Sequence, residues 1–236
     1  MSKRYFVENL NGLITEKQTL HHMINVDKIE IQKVVTLICS KKSIGRDVII
    51  KQILTDRIIY EFADKLEHQD DLLDITILNG IPKIDKNEFI VKYGTIFGAK
   101  NFIFCQMDRS IAKISDNISK KIDRLNKIAR SSCELANRYS LPKITYLDSI
   151  NKISYNDYEI IFVCDENNKQ IFLKNYEVIN KKILVIIGPE GGLSEKERLF
   201  FREKGAHNIS LGTLIFPTEA ASLAVLTQLY TQKNNK

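Results

Sequence analysis

Two similar stretches near the C-terminus, residues 181–197 and 207–229, constrain the fold of this 236-residue chain more than any other feature. Each reads as an apolar strand, a short loop and a helix. Residues 183–187 are uninterrupted apolar and mostly β-branched, which is typical of a parallel strand buried on both faces. Residues 207–211 predict the second strand, and Thr218 is predicted to cap a helix over residues 219–229.

The first loop, residues 188–194, has the sequence Gly-Pro-Glu-Gly-Gly-Leu-Ser. Its glycines let the backbone turn sharply and approach a ligand closely, and Ser194 with Glu197 forms the pattern of a capping box. Open α/β sheets bind ligands between the carboxyl ends of strands and the following helices, so this loop and the second loop, residues 212–217, are expected to close on one small molecule. The alternative is that both are ordinary strand–helix turns. The first loop has neither a dinucleotide motif nor a phosphate-loop motif, which disfavours pyrophosphate and triphosphate ligands.

The rest of the chain predicts two domains. Short strands at residues 4–7, 34–38, 47–54 and 57–62, separated by Gly45 and by Thr55-Asp56, predict a small β-barrel over residues 1–70. A short helix is expected near His21 and His22, and the polar residues 66–71 predict the domain boundary. Over residues 71–236 helices alternate with strands, which indicates an α/β domain with a mainly parallel sheet. These strands are predicted at residues 72–78, 101–105, 160–164, 183–187 and 207–211.

A helix predicted over residues 117–139 has two different faces. Its apolar stripe consists of Ile118, Ile122, Leu125, Ala129, Ser132 and Ala136. The opposite face is basic and carries Lys120, Arg124, Lys127 and Arg138. Together with the net charge of +6, this face favours contact with RNA phosphates, although a solvated surface explains it equally.

Several classes of protein are not expected. The four cysteines are scattered singly, and the four histidines have no ligand spacing with them, so free thiols and no metal are predicted. The chain has no apolar run of membrane-spanning length and no signal-peptide core after its first residues. These features predict a cytoplasmic protein that does not bind a membrane.

Three sequence segments carry a resemblance to a known family: residues 186–194, the pair Leu211-Gly212, and residues 217–221. They resemble the RsmE-type members of the SPOUT methyltransferases. The resemblance implies that residues 1–70 form a PUA-like, RNA-binding β-barrel and that residues 71–236 form a SPOUT α/β domain with a C-terminal trefoil knot. It also implies a homodimer that pairs through its last helix, with S-adenosylmethionine as cofactor. The implied reaction is methylation of N3 of a uridine in 16S ribosomal RNA of the small subunit.

The same resemblance assigns site residues. Arg109 lies in an Arg-Ser motif, and Glu219 follows the second loop. Arg138 stands at the end of the family's Glu-Gln-x-x-Arg motif, in which Leu135 replaces the glutamine here. These three are the candidate catalytic residues. For Glu219 the alternative is stabilisation of the first helical turn. Residues 86–89 match the family's Lys-x-Glu-Phe helix start. The implied cofactor-binding residues are Ile187, Gly188, Pro189, Glu190, Gly191, Gly192, Leu211, Gly212, Leu214, Ile215 and Thr218.

The second loop departs from the family pattern at two places, because Leu214 and Pro217 stand where the family has arginines. Two other functions therefore remain open: a non-catalytic RNA-binding relative, and a SPOUT methyltransferase that acts on another RNA. The retained glycines favour an active enzyme. We expect its turnover to depend on Arg109 and Arg138 as substitutes for the missing cations.

Overall fold

The structure is a computed structural model that describes residues 3–63, 68–114, 117–165 and 173–234. Leu66 and Glu67 of the predicted boundary lie outside the described residues. The chain divides into two compact units. The first consists of Met1–Asp71 with Cys133–Leu141, and the second consists of Leu72–Ser132 with Pro142–Lys236.

The first unit is a curled, mostly antiparallel sheet. Its elements are β1 (Arg4–Val7), β2 (Leu13–Ile14), α1 (Lys17–His21) with a π-helical turn (His22–Val26), β3 (Val34–Cys39), β4 (Ile44–Ile53), β5 (Ile58–Phe62) and β6 (His68–Gln69). The strand order is β1-β3-β4-β5-β2, and β6 pairs with β4. Because β1 and β2 end this order, the described pairing forms a curled half-barrel where the sequence predicts a small β-barrel. Gly45 was predicted to separate strands, but it lies inside β4. A side chain at this position would collide with the ring of Tyr139, so the glycine makes room for that ring.

The first unit also contains a segment that the predicted 1–70 domain did not include. Residues Cys133–Leu141 belong to it, and Cys133 and Tyr139 pack with the buried side chains of Phe6 and Ile38. The Asp70 carboxylate accepts hydrogen bonds from the backbone nitrogens of Tyr139 at 2.9 Å and Ser140 at 2.7 Å. This carboxylate therefore fixes the segment by satisfying backbone donors that have left the helix.

The second unit is a parallel sheet with helices. Its elements are β7 (Asp74–Gly80), α2 (Ile84–Ile96), β8 (Asn101–Cys105), α3 (Ile118–Leu135), β9 (Lys143–Leu147), β10 (Ile160–Cys164), β11 (Lys182–Ile187), α4 (Glu195–Glu203), β12 (His207–Ile209) and α5 (Thr218–Asn234). The order is β12-β10-β11-β7-β8-β9, and every pair is parallel. The five predicted strands are confirmed. Strand β9 was not predicted. It lies at the edge of the sheet, and only one of its five residues is buried, so its sequence lacks a long apolar run.

Both faces of this sheet are covered, as the apolar run of β11 predicted. Ile183 and Val185 pack into a cluster with Val225 of α5, whereas Leu184 and Ile186 pack into a second cluster with Phe201 of α4. Alternate side chains of one strand thus enter two separate cores.

Helix α3 confirms its predicted apolar stripe in part, since Leu125, Ala129 and Ser132 are buried. The helix ends at Leu135, not at residue 139, because Asn137 adopts a φ of 58° that turns the chain. Lys120, Arg124 and Lys127 are exposed as predicted. Arg138 does not share that face, because it follows the turn and is buried.

Within the described ranges, no helix is long and apolar enough to cross a membrane. All four cysteines are free thiols: Cys39, Cys105 and Cys133 are buried, and Cys164 is partly buried. Burial raises the pKa of the Cys105, Cys133 and Cys164 thiols to about 12 each, so all three remain protonated at neutral pH.

Candidate functional site

A cavity of about 850 Å³ opens at the carboxyl edge of the parallel sheet. Cys164, Ile187 and Ile209, the last residues of β10, β11 and β12, contribute to its lining. The first and second loops form its walls, as expected for an open α/β sheet. Every residue that the resemblance assigned to the cofactor lines this cavity: Ile187, Gly188, Pro189, Glu190, Gly191, Gly192, Leu211, Gly212, Leu214, Ile215 and Thr218.

The glycines of the first loop lie in close contact with neighbouring atoms of the protein. A Cβ on Gly188 would lie 3.1 Å from the carbonyl carbon of Gly192, and Gly192 itself adopts a φ of 69°. A Cβ on Gly191 would lie 3.0 Å from the Cβ of Arg109, whose Nη1 donates to the Gly191 carbonyl at 3.1 Å. Because these positions lack side chains, Gly188 can pack closely against Gly192, and Gly191 can pack closely against Arg109.

The predicted capping box at the start of α4 is confirmed. Ser194 Oγ accepts from the Glu197 backbone nitrogen at 3.2 Å, and Glu197 Oε2 accepts from the Ser194 nitrogen at 2.8 Å. The same two side chains also hold Asp108. Glu197 Oε1 accepts from the Asp108 nitrogen at 2.8 Å, and Ser194 Oγ donates to Asp108 Oδ2 at 2.6 Å. Through Asp108, the box fixes the backbone next to Arg109 and so the contact between Arg109 and Gly191.

A buried polar network joins the two loops. Thr218 was predicted to cap α5, but it is the first residue of that helix and its hydroxyl donates to the Gly188 carbonyl at 2.8 Å. The Asn79 amide nitrogen, at the end of β7, donates to Thr218 Oγ1 at 3.0 Å, and Ser222 Oγ donates to Asn79 Oδ1 at 3.2 Å. All three side chains are buried. Because these polar groups satisfy one another, they connect the first loop, the start of α5 and β7.

Lys86, on α2, forms ion pairs with two carboxylates. Its Nζ lies 3.4 Å from Glu190 Oε1 and 3.0 Å from Glu219 Oε2. Glu190 Oε1 also accepts from the backbone nitrogen of Lys83, at 3.1 Å, and so caps the start of α2 from the first loop. Burial alone would lower the pKa of Lys86, but Glu219 and Glu190 outweigh it and raise that pKa. Burial opposes ionisation of Glu190, yet the Lys83 nitrogen and Lys86 lower its pKa overall.

Asp165 directly follows β10 and also lines the cavity. Arg198 of α4 donates to it from Nε at 2.9 Å and from Nη2 at 3.4 Å. Asp165 is only 6% exposed, so a charged partner is needed to offset the cost of burying its carboxylate.

The three predicted catalytic residues lie in different surroundings. Arg109 contacts the first loop, and Glu219 contacts Lys86 without lining the cavity itself. Arg138 belongs to the first unit, where its Nη2 donates to Ser140 Oγ at 3.4 Å and burial lowers its pKa. At the places of the missing arginines, Leu214 is 75% exposed and Pro217 is also exposed, so the rim of the cavity is apolar.

Sequence reasoning missed Asn79, Lys86 and Asp165 as parts of the site. Asn79 is the last residue but one of a buried strand and Asp165 follows another, and polar residues at the carboxyl ends of parallel strands are a usable signal. In the sequence, Lys86 stands out only as part of the Lys-x-Glu-Phe motif. Nothing in the local sequence indicated which carboxylates it meets.

Residues 69–230 match the family model described as the RNA methyltransferase domain. The chain belongs to this family. The family match and the relatives below confirm the RsmE-type resemblance.

Relatives match along most of the chain. The Bacillus subtilis protein named Ribosomal RNA small subunit methyltransferase E is 28% identical, with 96% of this chain and 95% of that protein covered. The Borreliella burgdorferi protein named Ribosomal RNA small subunit methyltransferase E 2 is 26% identical, with 89% and 86% covered. A crystal structure of a Ribosomal RNA small subunit methyltransferase E from Neisseria gonorrhoeae, bound to S-adenosyl methionine, has a TM-score of 0.80 with this structure. The match covers 98% of both chains at 21% identity and supports the fold.

Proposed function

We propose that this protein is an S-adenosylmethionine-dependent methyltransferase that modifies N3 of a uridine in 16S ribosomal RNA of the small subunit. The observation that carries the proposal is the cavity between two joined loops at the carboxyl edge of the sheet, inside a domain of the RNA methyltransferase family. The names of the relatives supply the substrate class.

The residues of the cavity fit the proposed cofactor. A volume of about 850 Å³ lies within the range of small-molecule sites, and Ile187, Leu193 and Ile209 provide apolar lining for a nucleoside. Lys86 is the one lysine or arginine among the lining residues that the structure describes, which suits a ligand without phosphates. We propose that the backbones of both loops hold the ligand. When bound, S-adenosylmethionine supplies the electrophilic methyl group.

The protein's own residues are proposed to position the reactants. N3 lies on the pairing edge of uracil, so the base must be unpaired and must lose its N3 proton before it accepts a methyl group. We propose that Arg109 acts by holding Gly191 and that Glu219 acts by holding Lys86. Arg138 is proposed to stabilise the first unit, since it is buried there.

RNA binding is proposed to involve both units. Residues 1–70 are proposed to form a PUA-like, RNA-binding domain and residues 71–236 a SPOUT domain with a C-terminal trefoil knot. The exposed basic face of α3, with Lys120 and Lys127, supports RNA contact within the second unit. Binding through phosphates should weaken steeply as salt concentration rises.

A homodimer that pairs through α5 is also proposed. Tyr230 is 52% exposed, and Leu223 and Ala224 are only partly covered, which leaves an apolar strip on this helix. Light scattering at micromolar concentration should give twice the chain mass of 27.2 kDa. A mass of 27.2 kDa alone would contradict the dimer.

The test of function is mass-spectrometric mapping of ribosomal RNA from a strain that lacks the gene and from the complemented strain. We expect one N3-methyluridine to disappear in the first and return in the second. The purified protein should form the same product on bare small-subunit RNA or on assembled particles. RNA binding without methyl transfer on either substrate would favour a non-catalytic RNA-binding relative. Methylation of a different RNA would favour a SPOUT methyltransferase that acts on another RNA.

A further inference from the structure

The charges around Lys86 do not cancel. Lys86 contributes +1, and Glu190 and Glu219 contribute −1 each, so the cluster of these three residues carries a net charge of −1. The other acidic residue on the cavity, Asp165, is paired with Arg198. Arg198 Nη1 also lies 3.8 Å from Glu195 Oε2, but the Glu195 side chain is 75% exposed, so water screens that charge. The Lys86 cluster therefore places an excess negative charge beside the cavity.

This negative charge is held in place. Glu190 is fixed by the Lys83 nitrogen and by Lys86, while Glu219 is fixed at the first turn of α5. The second oxygen of Glu190, Oε2, is buried and accepts no hydrogen bond from the described residues. The side chains of Glu190 and Glu219 are only 17% and 23% exposed, so water screens this excess charge incompletely.

We propose that the Lys86 cluster distinguishes the methyl donor from the demethylated product by charge, an inference that rests on the proposed function. The sulfonium sulfur of S-adenosylmethionine carries +1. When the S–CH₃ bond breaks and the methyl group bonds to N3, the bonding electron pair stays on sulfur, and the N3 proton leaves to solvent. The product, S-adenosylhomocysteine, therefore has a neutral sulfur. A cluster of charge −1 favours the donor and promotes release of the product.

Calorimetry tests this with three ligands: the donor, the product, and sinefungin, which carries an amine in place of the methyl sulfonium. The wild type should bind the donor and sinefungin more tightly than the product. Glu219→Gln makes the cluster neutral without altering a residue that lines the cavity. It should lower the donor-to-product affinity ratio by at least about fivefold, the effect of removing one unit charge about 4 Å away in bulk water, because water screens this partly buried cluster incompletely.

Two further variants separate charge from structure. Lys86→Met leaves the two carboxylates without their cation and should raise the same ratio, even if all affinities fall because the loops are less firmly held. Lys86→Arg keeps the charge and should preserve the wild-type ratio. The matched control is Glu88→Gln, on the same helix, whose carboxylate pairs with Arg124 and does not line the cavity. It should leave the ratio unchanged.

The outcomes are distinct. Opposite shifts of the ratio in Glu219→Gln and Lys86→Met support the inference. Equal loss of affinity for all three ligands in both variants overturns it, because the cluster then only holds the loops. A wild type that binds neither donor nor product overturns the proposed function together with the inference.

Discussion

The contact between Gly80 and Pro189 allows a sharp prediction about the cavity. Gly80 is the last residue of β7, and Pro189 belongs to the first loop. A Cβ on Gly80 would lie 2.5 Å from Pro189 Cδ and 2.6 Å from its backbone nitrogen. Ordinary contacts begin at 3.4 Å, so Gly80→Ala must move the loop by 3.4 − 2.5 = 0.9 Å, unless the strand moves instead. The obstacle is backbone and a rigid ring, which cannot rotate away.

The effect should be larger on the site than on stability. Overpacking costs about 1–3 kcal/mol, and alanine in a strand recovers about 0.5–1 kcal/mol relative to glycine. The net cost of about 0–2.5 kcal/mol corresponds to a decrease in Tm of at most about 10 °C. A displacement of this size at a reacting centre reduces the rate by about 100-fold. We therefore expect single-turnover methylation to fall by roughly two orders of magnitude, with weaker cofactor binding.

The assay combines calorimetric cofactor affinity, single-turnover methylation and thermal unfolding. Gly94→Ala is the matched control, because its Cβ would lie 2.7 Å from the Phe102 ring, in the core of the same unit. It should lower Tm to a similar degree while cofactor affinity stays at the wild-type value. If Gly80→Ala binds and reacts like the wild type, the position of the first loop does not determine the geometry of the cavity.

Four other predictions follow from the site. Gly191→Val should abolish cofactor binding in calorimetry, because the new side chain displaces the loop from Arg109; unchanged affinity in a folded variant would refute this. Thr218→Val removes a hydroxyl that joins the loops and should cost about 1–3 kcal/mol in chemical unfolding, whereas Thr227→Val on exposed α5 surface should cost little. Glu190 has a folded pKa below its unfolded value of 4.5, so its stabilising effect is present above pH 4.5 and is lost as pH falls through the folded pKa. The difference in Tm between wild type and Glu190→Gln should therefore vanish in acid. Arg138→Ala should lower Tm more than Arg109→Ala does, because Arg138 is buried and Arg109 is not; the reverse order would contradict the proposed stabilising role of Arg138.

Features that depend on a few neighbouring residues were predictable from the sequence. The capping box of Ser194 and Glu197 forms as predicted, because both partners lie within one helical turn. The apolar run of β11 predicted a strand buried on both faces, because side chains alternate along a strand regardless of distant residues. The glycine positions of the first loop and its place after a parallel strand located the cavity.

Only the tertiary structure decided which distant groups meet. Lys86 pairs with Glu190 and Glu219, which follow it by more than 100 positions, and no sequence spacing encodes such a contact. Arg138 looked like part of an exposed basic face, but one residue with positive φ, Asn137, ends the helical periodicity and Arg138 is buried. Thr218 looked like a cap, yet packing brought the Gly188 carbonyl within hydrogen-bond distance of its hydroxyl. Local sequence patterns therefore determined the elements and loops of this protein. The partners of its polar side chains depended on how the chain packs, because hydrogen bonds and ion pairs form only between groups that the fold brings within a few ångströms.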